Sequence, residues 1–430
     1  MTEEQERAYA ELLMGRSVLL VGAAGTGKSE FIRHVRFTLP GRIAVVAPTG
    51  MASMNVGTGA VTIHSLFQVP PVKDGYFDFD HFTLRKRTER ALKNVDYLVI
   101  DEISMVRPDL FDLMESLARR ARKRDDFFGG ICLLLVGDFH QLPPIVRREE
   151  GEFFLTRYGS ENPHFFDAKC LRGQTLSVVQ LTKMFRQQSV EFWDILTKIG
   201  EGKIDRGIIE KLNSRVIGSD PPPKEALVVT PYRESAERKN REELEALPGA
   251  IHCYVGKKTG TFEAINGDDL PSPEVLELKE GASIIFTCNA TGNEWVNGTG
   301  GKVIRLHKDS VDVMLRSQQN RILSVGVHEW SHLIPDSKEY ATTGTYRQIP
   351  LRLGYALTVH KTQGKTCDSI VVQNDRRFFA CGQLYVALSR ARTLESIYLT
   401  APLRPSDVKV DSRVVEFHEK LAGSSSKISL

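Results

Sequence analysis

The sequence lacks the two features that would direct it into or across a membrane. No apolar run reaches the roughly 20 residues that a helix needs to span a bilayer. The N-terminus, MTEEQERAYAELLMG, is acidic and amphipathic, whereas a secretory signal is basic and then apolar. We therefore predict that no targeting segment is present and that the protein is cytoplasmic, of a bacterial or phage-like kind.

Cysteine is scarce, and the six cysteines form no CxxC pair. This spacing argues against a zinc site and against a disulfide framework, and it fits a reducing compartment. An excess of one charge is missing as well, because the formal net charge is only +3. A nucleic acid strand would therefore have to bind in a local groove and not through a general positive field.

Continuous apolar segments alternate with helical segments along the first part of the chain. The predicted strands are SVLLVG (17–22), RIAVVAP (42–48), DYLVIDE (96–102) and ICLLLVGD (131–138). Strands without polar alternation, separated by helices such as 28–37 and 108–124, indicate a parallel sheet that is covered on both faces.

The second half of the chain has the same character around a different segment. Its predicted strands are ALVVTP (226–231), YALTV (355–359), SIVVQ (369–373) and SIYLT (396–400). Between the first two of these strands, residues 252–349 show short alternating strands and many Gly and Asn turns, without a convincing helix. This pattern predicts a small β-barrel inserted into a second α/β domain.

The stretch GAAGTGKS (22–29) fits the pattern G-x-x-x-x-G-K-[ST] between a predicted strand and a predicted helix. Glycine lets backbone N–H groups curl around phosphates, and the helix N-terminus faces negative charge. Lys28 is expected to reach the β- and γ-phosphate oxygens, and the Ser29 hydroxyl is expected to ligate Mg²⁺. A plain glycine turn, the alternative, does not need the Lys-Ser pair. The residues expected to bind ATP here are Gly22, Gly25, Thr26, Gly27, Lys28 and Ser29.

Two further strand ends carry polar residues suited to ATP hydrolysis. Asp101 and Glu102 follow the strand YLVI. Asp101 is expected to hold Mg²⁺ through water, and Glu102 to orient or deprotonate the attacking water. In VGDFHQLPPI (136–145), Gln141 is expected to contact the γ-phosphate, although a proline-locked loop is the ordinary alternative. The residues alone thus indicate a P-loop ATPase with a γ-phosphate sensor.

Taken in order, these motifs resemble those of superfamily-one helicases of the 5′→3′ branch, most closely the Pif (petite integration frequency) family, with RecD as a related branch. Further matches in the first half are APTGMAS (47–53), TIHSLF (62–67) and GDFHQLPP (137–144). Matches in the second half are LTKMFRQ (181–187), WVNGTGG (295–301), TVHKTQGKT (358–366) and VALSRAR (386–392). The resemblance runs from about residue 3 to residue 400.

The resemblance implies an α/β fold with two RecA-like parallel-sheet motor domains and a small all-β SH3-like insertion in the second. The implied boundaries are 1–175 for the first motor domain, 176–251 and 350–421 for the second, 252–349 for the insertion and 422–430 for a disordered tail. A strand-separating wedge is implied at 68–95. Residues 77–94, its main part, would alternatively be a surface loop and helix.

For the nucleotide, the resemblance implies that Gln5 reads adenine and that Gln363 and Gly364 also contact ATP. Arg186 and Arg390 would approach the γ-phosphate from the second motor domain. A planar, always-charged guanidinium suits this role because it stabilises the spreading phosphate charge. A surface ion pair is the alternative for Arg186.

Across both motor domains, the resemblance implies a surface of hydroxyls, imidazoles and backbone amides that binds strand phosphates without reading sequence. Its residues are Pro48, Thr49, Met51, Thr62, His64, Phe67, Phe139 and His140 in the first domain and Thr358, His360 and Lys361 in the second. Phe67 or Phe139 would stack on a base. A satisfied buried histidine is the alternative for His64, and plain core is the alternative for Phe67.

The function implied by the resemblance is that of an ATP-dependent 5′→3′ DNA helicase, active in DNA repair, replication or telomere maintenance, with Mg-ATP hydrolysed in the cleft between two motor domains. The implied partners are single-stranded DNA and tailed duplex DNA, with RNA–DNA hybrids and G-quadruplexes left open, and the chain would be a monomer. Alternatives are a strand-dependent ATPase that remodels bound complexes with little unwinding, a passive strand binder and a P-loop small-molecule kinase. A passive strand binder would require Glu102 or the arginines to be idle, and a P-loop kinase would leave VALSRAR and VHKTQGKT unexplained.

Overall fold

The computed structural model describes residues 1–49, 60–69, 82–185, 189–218, 221–223, 226–265, 270–290, 294–295, 297–315, 321–336, 339–423 and 427–429. The chain forms two compact units. Unit 1 comprises Met1–Met184, His332–Thr343 and Asp411–Leu430, and unit 2 comprises Phe185–Ser331 and Gly344–Val410. Within the described ranges, no helix is long and apolar enough to span a bilayer.

Short helices and strands follow one another along the described chain. The helices are α1 (Glu3–Leu13), α2 (Lys28–Thr38), α3 (Ile63–Phe67), α4 (Lys86–Asn94), α5 (Pro108–Arg122), α6 (Gly151–Tyr158), α7 (Val190–Gly200), α8 (Arg206–Asn213), α9 (Arg233–Glu245), α10 (Val359–Thr362), α11 (Gln383–Leu388) and α12 (Ser412–Gly423). The strands are β1 (Val18–Gly22), β2 (Ile43–Ala47), β3 (Val61–Thr62), β4 (Tyr97–Ile100), β5 (Cys132–Gly137), β6 (Thr175–Leu181), β7 (Leu227–Thr230), β8 (His252–Val255), β9 (Lys257–Lys258), β10 (Val275–Leu278), β11 (Ser283–Phe286), β12 (Gly300–Leu306), β13 (Ser310–Leu315), β14 (Ile322–Gly326), β15 (His328–Asp336), β16 (Glu339–Gln348), β17 (Leu351–Leu353), β18 (Ala356–Thr358), β19 (Ile370–Val372), β20 (Ile397–Leu399) and β21 (Lys427–Ser429).

Unit 1 is built on a seven-stranded sheet with the strand order β21-β6-β1-β5-β4-β2-β3. The pairs from β6 to β3 are parallel, and every residue of β1 and β2 is buried. Successive side chains of β1 divide between two hydrophobic clusters, with Leu19 and Val21 in one and Val18 and Leu20 in the other. Because strand side chains alternate between faces, the sheet is covered on both sides, as its uninterrupted apolar strands predict.

Unit 2 combines two kinds of sheet. A four-stranded parallel sheet has the order β18-β7-β19-β20, and a five-stranded antiparallel sheet has the order β14-β13-β12-β11-β17. The antiparallel sheet has a core of its own, which includes Ile284, Val303 and Val313. Gly301 is needed there for space, because a Cβ would lie 2.5 Å from Val313 Cγ1. The predicted α/β class, with an all-β segment in its second half, is thus what these residues form.

The last part of the chain, which we call the C-terminal return (Asp411–Ser429), belongs to unit 1. β21 pairs with β6 in antiparallel register, Ile428 lying opposite Leu176. Apolar side chains of α12, among them Val414 and Leu421, lie in the larger unit 1 core. These apolar contacts explain why the return packs on unit 1 and is not part of the second sheet.

The two units differ from the predicted boundaries at four places. Residues 332–343 of the predicted insertion lie in unit 1. β6 is an inner strand of the unit 1 sheet, so unit 1 does not end at residue 175. Residues 411–421, predicted as part of the second motor domain, lie in unit 1. Residues 427–429 of the predicted disordered tail form β21. Local sequence patterns show which residues seek burial, but they do not show which core receives them.

The predicted wedge at 68–95 lies partly outside the described residues. Its C-terminal part forms α4, whose Ala91 and Leu92 are fully buried in the unit 1 core. This part of the segment therefore belongs to the body of unit 1, and the wedge itself stays a prediction.

The C-terminal return should make unit 1 sensitive to acid. Burial, followed by the neighbouring His140, lowers the pKa of His418 from 6.5 to about 3, and Asp138 opposes this shift. Between pH 6.5 and about pH 3, the His418 side chain binds a proton in the unfolded chain but not in the folded chain. Its contribution to the free energy of unfolding is therefore complete above pH 6.5 and is lost as the pH falls toward 3, by up to about 1.4 kcal/mol per pH unit. We expect the thermal midpoint to fall less steeply with acid in His418→Phe than in the parent. Equal slopes would contradict this account.

Candidate functional site

The segment 22–29 runs from the end of β1 into the start of α2. Gly25 and Gly27 have φ values of 93° and 87°, in the left-handed region that L side chains rarely adopt. Gly22 is needed for space, since a Cβ there would lie 2.5 Å from Thr26 Oγ1. The backbone therefore requires glycine at positions 25 and 27, and the space beside Thr26 favours glycine at position 22.

Lys28 is held against this loop. Its Nζ donates to Gly22 O at 2.7 Å and to Ala23 O at 3.0 Å, and the residue is only 8% exposed. Ser29 follows in the first turn of α2, where unpaired N–H groups give the helix end a partial positive charge. The ammonium group and the helix N-terminus thus lie on the same loop, an arrangement that suits a bound phosphate.

Asp101 and Glu102 directly follow β4 and are 5% and 8% exposed. Glu102 has a φ of 49°, a left-handed conformation that is costly for a residue other than glycine and that concentrates at functional sites. Its N–H donates to Asp101 Oδ1 at 2.9 Å. Burial, and then the charge of Glu102, raise the pKa of Asp101, whereas Lys28 lowers it. A cation placed here would relieve the repulsion between the two carboxylates.

The oxygen donors around this pair fit Mg²⁺. This ion prefers hard oxygen ligands and usually takes one or two carboxylates together with water and substrate phosphates. The Asp101 carboxylate and the Ser29 hydroxyl are donors of this kind. In the part of the chain that the structure describes, no group of three or more His, Cys, Asp or Glu side chains could hold a metal. A magnesium ion here would therefore depend on phosphate oxygens as well.

The loop Asp138–Leu142 follows β5, which lies between β1 and β4 in the sheet. Gln141 is 5% exposed, and its Nε2 donates to Asp138 Oδ2 at 3.1 Å. Its Oε1 is buried and has no hydrogen-bond partner among the described residues. Because the carboxyl ends of neighbouring parallel strands share one edge, this loop adjoins both the phosphate loop and the acid pair. Sequence reasoning missed the role of Asp138, although an acid directly at a strand end was the available signal.

Gln5 lies in the first turn of α1, beside the phosphate loop. Its Oε1 accepts a hydrogen bond from Thr2 N–H at 3.0 Å in a capping box. Its Nε2 approaches Gly27 O at 3.5 Å, the outer limit of a hydrogen bond. The structure thus brings Gln5 to the nucleotide side of unit 1, while its contact with adenine stays a prediction.

Each unit contains a short helix that is capped by a threonine at a strand end and carries the sequence T-x-H. Thr62 (φ −74°, ψ 153°) accepts the N–H three residues on at 3.1 Å. Thr358 (φ −72°, ψ 153°) accepts the N–H of Lys361 at 3.4 Å. His64 and His360 follow at the same place in the two helices. The predicted strand-binding hydroxyls and imidazoles are therefore built into the same local structure in both units.

The remaining residues that we predict to bind the strand differ in how far they are buried and in whether they already have a hydrogen-bond partner. Pro48 and Thr49 are half-buried at the end of β2, whereas Met51 lies outside the described residues. His64 Nδ1 lies 3.0 Å from Val69 O, so this ring is already held by its own unit. Burial lowers the pKa of His360, which favours its neutral form.

Phe67 and Phe139 do not present a ring face to a base. They are 1% and 4% exposed, and both lie in the larger unit 1 core. Phe139 stacks on Phe165 with 5.3 Å between ring centroids, and it meets Phe417 edge-on at 5.2 Å. The predicted base stacking is therefore wrong for both rings in this structure, and the plain-core alternative holds for Phe67. The partners of Phe139 come from distant parts of the chain, which no local pattern reveals.

Arg390 is completely buried. Its Nη1 donates to Thr362 O at 3.1 Å and to Lys365 O at 3.2 Å, on either side of the turn at 363–364 that contains the predicted nucleotide contacts. The guanidinium therefore supports this turn in the structure, and its approach to the γ-phosphate stays a prediction. Arg186, the other predicted arginine, lies outside the described residues.

Arg390→Ala should destabilise unit 2. Loss of the guanidinium removes the donor that Nη1 supplies to two carbonyls. Thr362 O keeps the N–H of Lys365 at 3.0 Å, whereas the Lys365 carbonyl loses its Arg390 donor, and an unsatisfied buried group costs about 1–3 kcal/mol. We expect a clear fall in the thermal midpoint, while Arg206→Ala, which removes an exposed ion pair in the same unit, should leave it unchanged. If Arg390→Ala kept the parental stability but no longer hydrolysed ATP, the result would instead indicate that Arg390 acts at the γ-phosphate.

Comparisons with known proteins identify the family. The family model described as PIF1-like helicase matches residues 1–208. The ATP-dependent DNA helicase Pif1 of Bdellovibrio bacteriovorus is 30% identical, over 98% of this chain and 92% of that protein. The chain belongs to the PIF1-like helicase family. The resemblance inferred from the motifs is thereby confirmed.

Other members of the PIF1-like family differ in length. The mouse ATP-dependent DNA helicase PIF1 is 31% identical over 98% of this chain, and the chain spans 63% of that protein. The rat and human proteins are covered to 64%, so the chain spans less than two thirds of these relatives. Among solved structures, Pif1 from Bacteroides sp in complex with ADP-AlF4 matches with a TM-score of 0.87 and 28% identity, over 100% of this chain and 99% of that one. The predicted α/β fold is thus confirmed at the level of the whole chain.

Proposed function

We propose that this PIF1-like chain is an ATP-dependent 5′→3′ DNA helicase that translocates on single-stranded DNA and unwinds duplex DNA. The main support for the proposal is that three segments lie at one edge of the unit 1 sheet. They are the phosphate loop, the acid pair and the Gln141 loop. Relatives support it, because the Bdellovibrio and mouse proteins are named ATP-dependent DNA helicases. The Bacteroides Pif1 was solved with ADP-AlF3 and single-stranded DNA.

In this proposal, backbone N–H groups of 25–29 and the Lys28 ammonium hold the ATP phosphates. Ser29 and Asp101 would hold Mg²⁺, and the ion would supply positive charge that stabilises the negative charge developing during phosphoryl transfer. Glu102 orients the attacking water and accepts its proton. Gln141 offers its free Oε1 to that water or its amide to the γ-phosphate, as glutamines do in related phosphoryl-transfer sites.

The strand would be bound by the T-x-H structures of both units. Thr62 and His64 serve in unit 1, and Thr358, His360 and Lys361 serve in unit 2. Hydroxyls, imidazoles and one ammonium bind phosphates but read no base, so binding should depend on salt and little on sequence. We further propose single-stranded and tailed duplex DNA as the partners, and a monomeric cytoplasmic chain as the active form.

The proposal is tested by ATP-dependent unwinding of three labelled duplexes, with a 5′ tail, a 3′ tail or blunt ends, and with ATP turnover followed in the same samples. We expect unwinding of the 5′-tailed duplex alone and ATP turnover that rises with added single strand. Unwinding of the 3′-tailed duplex alone would reverse the polarity. Strand-stimulated turnover without unwinding of any duplex would favour the remodelling ATPase, and no turnover at all would overturn the proposal.

A further inference from the structure

The C-terminal return is fastened to unit 1 on both sides of α12. Directly before the helix, Asp411 Oδ2 accepts a hydrogen bond from His164 Nε2 at 2.8 Å. In the first turn of the helix, Arg413 forms an ion pair with Asp167. After the helix, β21 pairs with β6, and Ile428 is buried. Because both flanking segments are anchored, α12 has one defined position on the unit.

Two consecutive residues of α12 contact the loop Asp138–Leu142. Phe417 is 4% exposed and meets Phe139 edge-on, with ring centroids 5.2 Å apart and an interplanar angle of 90°. His418 stacks flat on His140, with centroids 4.1 Å apart and an angle of 4°. His418 Nε2 is buried without a hydrogen-bond partner in the described part of the chain. Ring packing, and no hydrogen bond from this nitrogen, therefore holds His418 on the loop.

These contacts bear on Gln141, the residue that directly follows His140. Within the loop, Asp138 receives two hydrogen bonds, from His140 N–H to Oδ1 and from Gln141 Nε2 to Oδ2, both at 3.1 Å. The position of Gln141 thus depends on one carboxylate inside the loop and on two rings supplied by α12. In a reacting site, a displacement of about 1 Å can lower the rate on the order of 100-fold.

We propose that His418 and Phe417 are positioning residues for ATP hydrolysis, because they set the place of the loop that carries Gln141. The inference rests on the proposed function, in which Gln141 contacts the γ-phosphate or the attacking water. Phe417 contacts Phe139 and His418 contacts His140, so both rings would act through the loop.

Plain core packing is the competing account, and it is strongest for Phe417. That ring also stacks on Phe166, with centroids 4.3 Å apart and an angle of 18°, so its loss would disturb the core in general. His418 gives the sharper test because its side chain is half-buried at the rim of this core. A packing role predicts lower stability and unchanged chemistry in the folded fraction, whereas a positioning role predicts a selective loss.

The test compares His418→Ala, His418→Phe and the parent protein. Two quantities are measured: kcat and KM for strand-stimulated ATP hydrolysis, and the ratio of Kd for ADP to Kd for the non-hydrolysable analogue AMP-PNP. For His418→Ala we expect kcat to fall about tenfold and the Kd ratio to fall about threefold or more, with ADP affinity nearly unchanged. His418→Phe should restore both quantities because it returns a flat ring to His140.

Leu421→Ala is the matched control, since Leu421 lies on the same helix and is 5% exposed in the same core. After correction for folded fraction, it should keep the parental kcat and the parental Kd ratio. A parental kcat in His418→Ala, or the same selective loss in Leu421→Ala, would overturn the positioning role alone. A parent that binds nucleotide but does not hydrolyse ATP would overturn the proposed function as well.

Discussion

Lys28→Ala is expected to lower ATP hydrolysis by about 10²–10³-fold, the usual result of removing one cation or donor that is preorganised at the reacting group. Lys28 is suited to this effect because its ammonium is buried on the phosphate loop, 2.7 Å from Gly22 O. The residues that we propose to bind the strand lie on other loops, so the affinity for single-stranded DNA should remain largely unchanged. Phosphate release with added strand measures the first quantity, and fluorescence anisotropy of a labelled strand measures the second.

Lys93→Ala is the control for this variant. Lys93 lies in the same unit but forms an exposed i,i+4 ion pair with Glu89, a pair worth little to stability. It should hydrolyse ATP at the parental rate. Substantial turnover by Lys28→Ala would show that the phosphate site has been assigned to the wrong loop.

Glu102→Gln is expected to bind ATP and to hydrolyse it about 10²–10⁴-fold more slowly, since general-base catalysis contributes a factor of that size. Glutamine keeps the shape of the side chain but cannot accept the proton of the attacking water. The change also removes the negative charge that raises the pKa of Asp101, so Asp101 should ionise more easily and Mg²⁺ binding should be retained. Equilibrium binding of AMP-PNP and single-turnover hydrolysis separate the two effects.

The control for this second variant is Glu30→Gln. Glu30 belongs to α2, close in sequence to the phosphate loop, but its side chain is 71% exposed and pairs with Arg33. Hydrolysis by Glu30→Gln should match that of the parent. If Glu102→Gln also hydrolysed ATP at the parental rate, Glu102 would have no part in activating water.

The nucleotide side of the site could be predicted from sequence because each of its parts is local. Uninterrupted apolar runs predicted β1, β4 and β5, and the residues that follow each run are polar. Parallel pairing then brings Lys28, Asp101 and Gln141 to one edge of the sheet without further information. The need for glycine at positions 25 and 27 could also be predicted, because a tight phosphate loop requires left-handed backbone conformations.

What could not be predicted depends on contacts between distant parts of the chain. Phe139 looked available to a base because its partner Phe417 lies in the last helix. The burial of Arg390 could not be predicted, because the carbonyls that it contacts come from another motif. No sequence pattern indicates the left-handed backbone of Glu102, because the surrounding structure imposes such a φ on a residue other than glycine.

The last strand also has a consequence for how the protein behaves at high concentration. An unpaired strand at the edge of a sheet offers N–H and C=O groups with which another chain can pair. β21 covers that edge of β6 with only three residues, Lys427 to Ser429 opposite Ser177 to Thr175. If β21 were deleted, or displaced by a fused tag, the edge of β6 would be exposed and could pair with a strand of another molecule. We therefore expect the solubility of the protein to fall when this short segment is removed.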